Sequence, residues 1–177
     1  MASEQVWVVA ACFNEEDVIT RFIDRVMALP DVQRLLLIDD GSADGTVAVI
    51  QAWQRDHPDQ GVTLLELTRN FGKESAMLAW LDHVQGRCSA AVLIDSDLQH
   101  PPEQIPAMVQ AWRDGAEVVT AVRDDRDEES RMKVATASWF YRVFNRLVDS
   151  IQLQEGAGDF RLLSAPVVAA VTQMREA

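Results

Sequence analysis

Cysteine, basic charge, phosphate-binding glycine loops and long apolar runs are all scarce or missing from this 177-residue sequence. Its two cysteines, Cys12 and Cys88, lie in or beside apolar segments. They read as small buried thiols in a reducing compartment, not as a disulfide framework. No stretch approaches the about 18 consecutive apolar residues that a spanning helix needs. The polar start Ala2–Gln5 does not resemble a secretory leader, so the chain as given is expected to be soluble. Sixteen Lys and Arg face 28 Asp and Glu, a formal net charge of −12. That balance excludes nucleic acid as a general partner, because phosphate backbones demand a basic footprint. Neither GxGxxG after the first strand nor GxxxxGK[ST] occurs, which takes the main support from the dinucleotide and P-loop readings. His57, His83 and His100 show no metal-ligand spacing.

What is present is an ordinary globular composition, 48% apolar and 25% charged, at a length that fits one domain over residues 1–177. Val6–Cys12, Leu35–Ile38, Val62–Leu67, Ala90–Ile94 and Val118–Val122 are short, largely β-branched or aliphatic runs, as expected for strands covered on both faces. Between them, Val18 to Leu29, Val47 to Arg55, Glu74 to Val84 and Pro101 to Arg113 repeat at helical spacing. Asn14 is the expected cap of the first of these helices. Strand and helix alternate over short links, which predicts an α/β fold with a parallel sheet and right-handed crossovers. Beyond Val122 a mixed-charge run, Arg123–Arg131, leads into Met132, Ala135, Trp139, Phe140 and Phe144 at helical spacing. A short strand at Phe160–Leu163 and a helix from Pro166 follow.

Every polar cluster falls after a strand and before a helix, so the clusters are expected to meet on one edge of the sheet. The fourth strand stops at Asp95-Ser96-Asp97, with the chain turning there and Pro101-Pro102 opening the next segment. Two hard oxygen donors at a strand's C-terminal end suit Mg²⁺ or Mn²⁺, with substrate phosphates completing the shell. In isolation an Asp-x-Asp is more often a solvated turn. Asp39-Asp40-Gly41-Ser42 is a common turn too, Lys73 a solvated lysine, and Arg123–Arg131 a wet loop. Their placement together gives them weight.

Asn14-Glu15-Glu16, Asp39-Asp40-Gly41-Ser42, Arg69-Asn70-Phe71-Gly72-Lys73-Glu74 and Asp95-Ser96-Asp97-Leu98-Gln99-His100-Pro101-Pro102-Glu103 follow successive strands. Val122-Arg123, Arg126, Glu129-Ser130, Lys133, Phe140-Tyr141-Arg142 and Gly158-Asp159-Phe160-Arg161-Leu162 come later in the same order. In these motifs the chain resembles the family 2 glycosyltransferases of the GT-A fold, a Rossmann-like three-layer arrangement with a mostly parallel central sheet. Within that family it is similar to the polyprenyl-phosphate sugar synthases. The segment before Asn14 departs from the pattern, carrying Ala11 and Phe13 where the family usually has proline and tyrosine.

The resemblance implies inverting transfer of a hexose from a nucleotide diphosphate sugar, of the UDP-glucose or GDP-mannose type, to a polyprenyl phosphate. It places Asp95 and Asp97 on Mg²⁺ or Mn²⁺, with Ser96 and Gln99 beside them and Asp97 also at the reaction centre. Asn14, Glu15, Asp39 and Asp40 fall in the base and ribose pocket. Lys73, Arg123, Arg126, Arg131, Lys133 and Arg161 fall on donor and acceptor phosphates, and Asp159 at the candidate base. The full-length protein is expected at the cytoplasmic membrane face, continuing past residue 177 into membrane-associated helices. Oligomeric state, a homo-oligomer included, is left open. Because a phosphate monoester loses its second proton near pH 6, Asp159 is expected to orient groups or anchor Arg161 and not to be an indispensable base. A saccharide acceptor and a non-catalytic nucleotide-binding regulator are the alternative readings.

Overall fold

The computed structural model describes residues 4–123, 132–136 and 160–175. The strands are β1 (Val6–Cys12), β2 (Arg34–Asp39), β3 (Val62–Glu66), β4 (Ala90–Leu93), β5 (Val118–Arg123), β6 (Met132–Thr136) and β7 (Arg161–Ser164). The helices are α1 (Ile19–Met27), α2 (Thr46–Asp56), α3 (Lys73–Val84), α4 (Ile105–Arg113) and α5 (Ala165–Arg175), with a 3-10 turn at Pro102–Gln104 ahead of α4.

One seven-stranded sheet runs in the order β3-β2-β1-β4-β7-β5-β6. β3, β2, β1 and β4 are parallel neighbours, whereas β7 lies antiparallel between β4 and β5, and β6 antiparallel to β5. The expected sheet is therefore present but mixed: β1 to β5 point one way and β6 and β7 point back. One expected helix is a strand instead. Met132–Thr136 is strand β6, not the start of a helix. The spacing from Met132 to Ala135 fits a helix, but Met-Lys-Val-Ala-Thr also alternates with period two at its start, and pairing with β5 decides it. The aromatic residues from 139 to 144 lie outside the described residues.

Strand alternation sorts the core into two layers. Val6, Val8, Ala10 and Cys12 of β1 pack with Ile19, Phe22, Ile23 and Val26 of α1, Ile50 and Trp53 of α2, and Ile105, Met108 and Val109 of α4. The alternate residues Trp7 and Val9 pack on the other face with Ala76, Trp80, Leu81 and Val84 of α3 and Val167 and Val168 of α5. A strand covered on both faces must be apolar at every position, which is why β1 reads as a continuous run. In α1 the buried residues recur at i, i+3, i+4 and i+7, one stripe of the helix. Each such fully buried side chain contributes about 1.5–3 kcal/mol. The Trp53 indole also donates to Asp24 Oδ1 at 2.8 Å, tying α2 to α1. Both cysteines are buried and free.

This winding positions the site. From β1 the chain steps outward through α1 and α2 to β3, then α3 carries it across the opposite face to β4, on β1's other side. The strand order reverses between β1 and β4. Crevices outside the carboxyl ends of strands open at such reversals.

Candidate functional site

β1 and β4 pair from Val6↔Ala90 to Val9↔Leu93. The last backbone bond between them runs from Ile94 N to Val9 O, 3.1 Å. Beyond it the strands part, and the opening is a cleft of about 260 Å³. The end of β1 supplies Ala11, Cys12, Phe13 and Glu15, β2 supplies Asp40, the β3–α3 loop supplies Asn70 and Gly72, and the end of β4 supplies Asp95, Ser96 and Asp97. Four separate loops thus converge, as the motif positions anticipated.

The loops are locked by side-chain to backbone hydrogen bonds. Asn14 sits at φ 55, the left-handed region that asparagine tolerates. Its amide donates to Ser42 Oγ at 2.9 Å and its Oδ1 accepts from Ala43 N at 2.9 Å. Asn14 is therefore a strut between two loops and not a helix cap, since α1 begins only at Ile19. Glu15 N donates to Thr46 Oγ1 at 2.8 Å, and Gly45 N donates to Glu16 Oε2 at 2.6 Å. Asp39 Oδ2 accepts from Gly41 N at 3.1 Å and Ser42 N at 3.0 Å. Its other oxygen is buried with no hydrogen-bond partner among the described residues.

The Asp-Ser-Asp tip is divided by burial. Ser96 is 2% exposed and donates its hydroxyl to Ala11 O at 3.0 Å, while Asp95 and Asp97 are partly exposed on the cleft wall. The chain then turns sharply: Gln99 N donates to Asp97 Oδ1 at 2.9 Å, and Leu98 takes φ 63. The Gln99 side chain itself is exposed.

Electrostatically the cleft is acidic. Glu15, Asp40, Asp95 and Asp97 line it, with no lysine or arginine among the described lining residues. Burial first, then the charges of Asp97, Asp44 and Asp95, raise the Glu15 carboxyl above the usual range. Burial, followed by Asp39, pushes the Cys12 thiol well above the ordinary thiol range, so it stays neutral at the cleft floor. Among the described residues no three His, Cys, Asp or Glu side chains form a group able to hold an ion by themselves. That donor set fits an ion held by one or two carboxylates with ligand phosphates filling the shell.

The remaining expected site residues fall on the same edge where they are described. Arg161 opens β7 opposite Leu93, beside the end of β4. Arg123 closes β5, and Lys133 pairs with Val122 across the β5–β6 ladder. Lys73 is the first residue of α3, next to the cleft-lining Gly72. Arg126, Arg131 and Asp159 lie outside the described residues. Among the cleft residues that escaped the sequence reading as site residues are Phe13, 43% exposed, and Asn70. Their position just past a strand end was the available signal.

The glycosyl transferase family 2 model matches residues 7–171. The chain belongs to glycosyl transferase family 2. This family 2 chain is 39% identical over 176 residues to the prophage bactoprenol glucosyl transferase homolog of Escherichia coli K12, covering 97% of itself and 56% of that protein. It is 34% identical over 151 residues to the undecaprenyl-phosphate 4-deoxy-4-formamido-L-arabinose transferase of Edwardsiella ictaluri, covering 82% and 42% respectively. The chain thus spans about half the length of these relatives. Its fold matches a mannosyltransferase from Pyrobaculum calidifontis solved with GDP-Man and Mn²⁺, with TM-score 0.61, 26% identity, and 71% and 38% of the two chains covered. It also matches Mycobacterium tuberculosis glucosyl-3-phosphoglycerate synthase solved with Mn²⁺, UDP-Glc and glycerol 3-phosphate, with TM-score 0.60, 21% identity, and 93% and 58% covered. The architecture is that of the GT-A glycosyltransferases.

Proposed function

We propose that the full-length protein is an inverting glycosyltransferase that moves a hexose from a nucleotide diphosphate sugar to a polyprenyl phosphate at the cytoplasmic membrane face. The observation that carries this reading is the four-carboxylate cleft at the β1/β4 reversal, where burial and then the charges of Asp97, Asp44 and Asp95 raise the Glu15 carboxyl. A diphosphate enters such a wall only with a cation. In this reading Asp95 and Asp97 hold Mg²⁺ or Mn²⁺, which supplies charge neutralisation for the departing nucleotide diphosphate. Relatives named for bactoprenol and undecaprenyl phosphate support the acceptor class.

The protein's own residues then bind and orient. Asn14, Glu15 and Asp39 take the base and ribose side. The unpartnered Asp39 oxygen supports this, because a buried carboxylate oxygen left without a donor is costly. Phe13 offers an exposed ring beside them. Lys73, Arg123, Arg126, Lys133 and Arg161 neutralise donor and acceptor phosphates, and Gln99 flanks the metal ligands. An acceptor phosphate oxygen attacks the anomeric carbon from the face opposite the nucleotide. The anomeric carbon–oxygen bond to the diphosphate breaks, and configuration inverts. Since the acceptor's second pKa is about 6, most of it arrives already deprotonated. Asp159 accordingly orients groups around Arg161, and positioning of two anions carries most of the rate.

The test is hexose transfer by the full-length protein from UDP-glucose and GDP-mannose to a polyprenyl phosphate in Mn²⁺. Product that is lost on adding EDTA is expected. Nucleotide binding with no transfer to any polyprenyl phosphate would contradict the acceptor assignment.

A further inference from the structure

Between Asp97 and Gln99, Leu98 sits at φ 63, in the left-handed region that leucine rarely takes. Such strain persists only where the surroundings over-determine it. Three contacts do so here. The Leu98 side chain packs on the core layer that holds α1, α2 and α4. Gln99 N donates to Asp97 Oδ1 at 2.9 Å. One residue on, the half-buried His100 places its ring 5.7 Å from that of Phe160 at a tilt of 45°, a favourable arrangement for two rings.

Both partners of that contact are stiffly held. Phe160 is fully buried, its carbonyl accepts from Ala121 N at 3.0 Å, and Arg161 after it pairs with Leu93. His100 and Pro101 each precede a proline, which biases both toward extended backbone, and Pro101 takes φ −74, ψ 117. Pro102 is buried, and Glu103 accepts from Arg25 of α1 at two points, 2.8 and 2.6 Å. With the far end fixed and little give between, the ring contact sets where the Asp97–Gln99 turn stands relative to β7.

We propose that His100 is a positioning residue: its ring, packed on Phe160, holds the turn of the Asp95-Ser96-Asp97 tip in register with the start of β7 and so aligns the two substrates, without imidazole chemistry. This rests on the transfer reading, in which Asp95 and Asp97 hold the donor's cation and Arg161 meets a substrate phosphate. A misplacement of about 1 Å between reacting groups costs on the order of 10²-fold in rate.

The test compares full-length wild type with His100→Phe, which keeps a ring, and with His100→Asn and His100→Ala, which do not. Hexose transfer to polyprenyl phosphate is measured beside Mn²⁺-dependent binding of UDP and GDP. In the Asn and Ala variants kcat should fall about tenfold or more with nucleotide affinity held within about threefold, and His100→Phe should keep kcat within about threefold of wild type. Unaltered kcat in His100→Ala, a Phe variant as impaired as the Ala one, or parallel loss of nucleotide affinity would overturn the proposal, since a merely loosened fold lowers both. Without ligands, the Gln99 amide should exchange about threefold or more faster in the Asn and Ala variants and near the wild-type rate in His100→Phe. Equal exchange in all four proteins would remove the lock. Should wild type transfer no hexose, the transfer reading fails while the exchange measurement still judges the lock.

Discussion

The Ser96 hydroxyl reaches the Ala11 carbonyl at 3.0 Å, just past the last backbone bond between β1 and β4. A side chain thus replaces the ladder at the point where the strands separate, and it holds the two flanking carboxylates on the cleft wall. Ser96 was expected among the cofactor-binding residues, and its hydroxyl bridges β4 to β1 between Asp95 and Asp97.

Ser96→Ala should therefore cost about 1 kcal/mol of stability, the usual worth of one buried hydrogen bond. Urea unfolding measures it. Mn²⁺-dependent nucleotide binding should weaken severalfold as the tip loosens, whereas Ser96→Thr, which keeps the hydroxyl, should retain more of both.

Glu15→Gln should stabilise the protein without ligands. A carboxyl whose folded pKa is raised binds its proton more tightly when folded, so its ionisation above that pKa opposes folding. At pH 7 the variant should gain less than about 1 kcal/mol, the ceiling for a well-solvated charge. The gain should fade as pH falls toward about 4.3, the unfolded pKa. Thermal melts at pH 7 and pH 4 check this, and a Glu15→Gln protein less stable at pH 7 would contradict it.

Phe160 is fully buried, with its ring 5.7 Å from that of His100, and its neighbours in sequence are Asp159 and Arg161. Phe160→Ala should cost about 3–5 kcal/mol through the cavity it leaves, against less than about 1.5 kcal/mol for Phe160→Leu. Denaturant unfolding separates the two.

Much of this was legible in the chain. The apolar runs of β1 to β5 ended where their polar clusters began, and burial on both faces leaves no other pattern for a central strand. Three things were not. The antiparallel insertion of β7 between β4 and β5 depends on long-range pairing that a four-residue strand does not announce. Strand β6 carried a helix-compatible spacing that its partner overruled. Asn14, Asp40 and Ser96 were read for their polar groups, yet whether such a group faces ligand or neighbouring backbone is fixed only when other loops arrive: Ala43, Phe71 and Ala11 in turn.

Asp159→Asn in the full-length enzyme should keep transfer at pH 8 within about tenfold of wild type, because the acceptor needs little help to lose its proton. A loss near 10⁴-fold, the upper range of general-base catalysis, would make Asp159 a true base.

The central claim is that a cation on Asp95 and Asp97 admits the nucleotide. Thermal melts with UDP and with GDP, each with Mn²⁺ or with EDTA, test it on wild type, Asp95→Ala and Asp97→Ala. Wild type should be stabilised by at least one nucleotide in Mn²⁺, by about 2.7 kcal/mol at a hundred times Kd, and by neither in EDTA. Both variants should lose the shift. A nucleotide shift that survives EDTA, or that persists in both variants, would contradict the account.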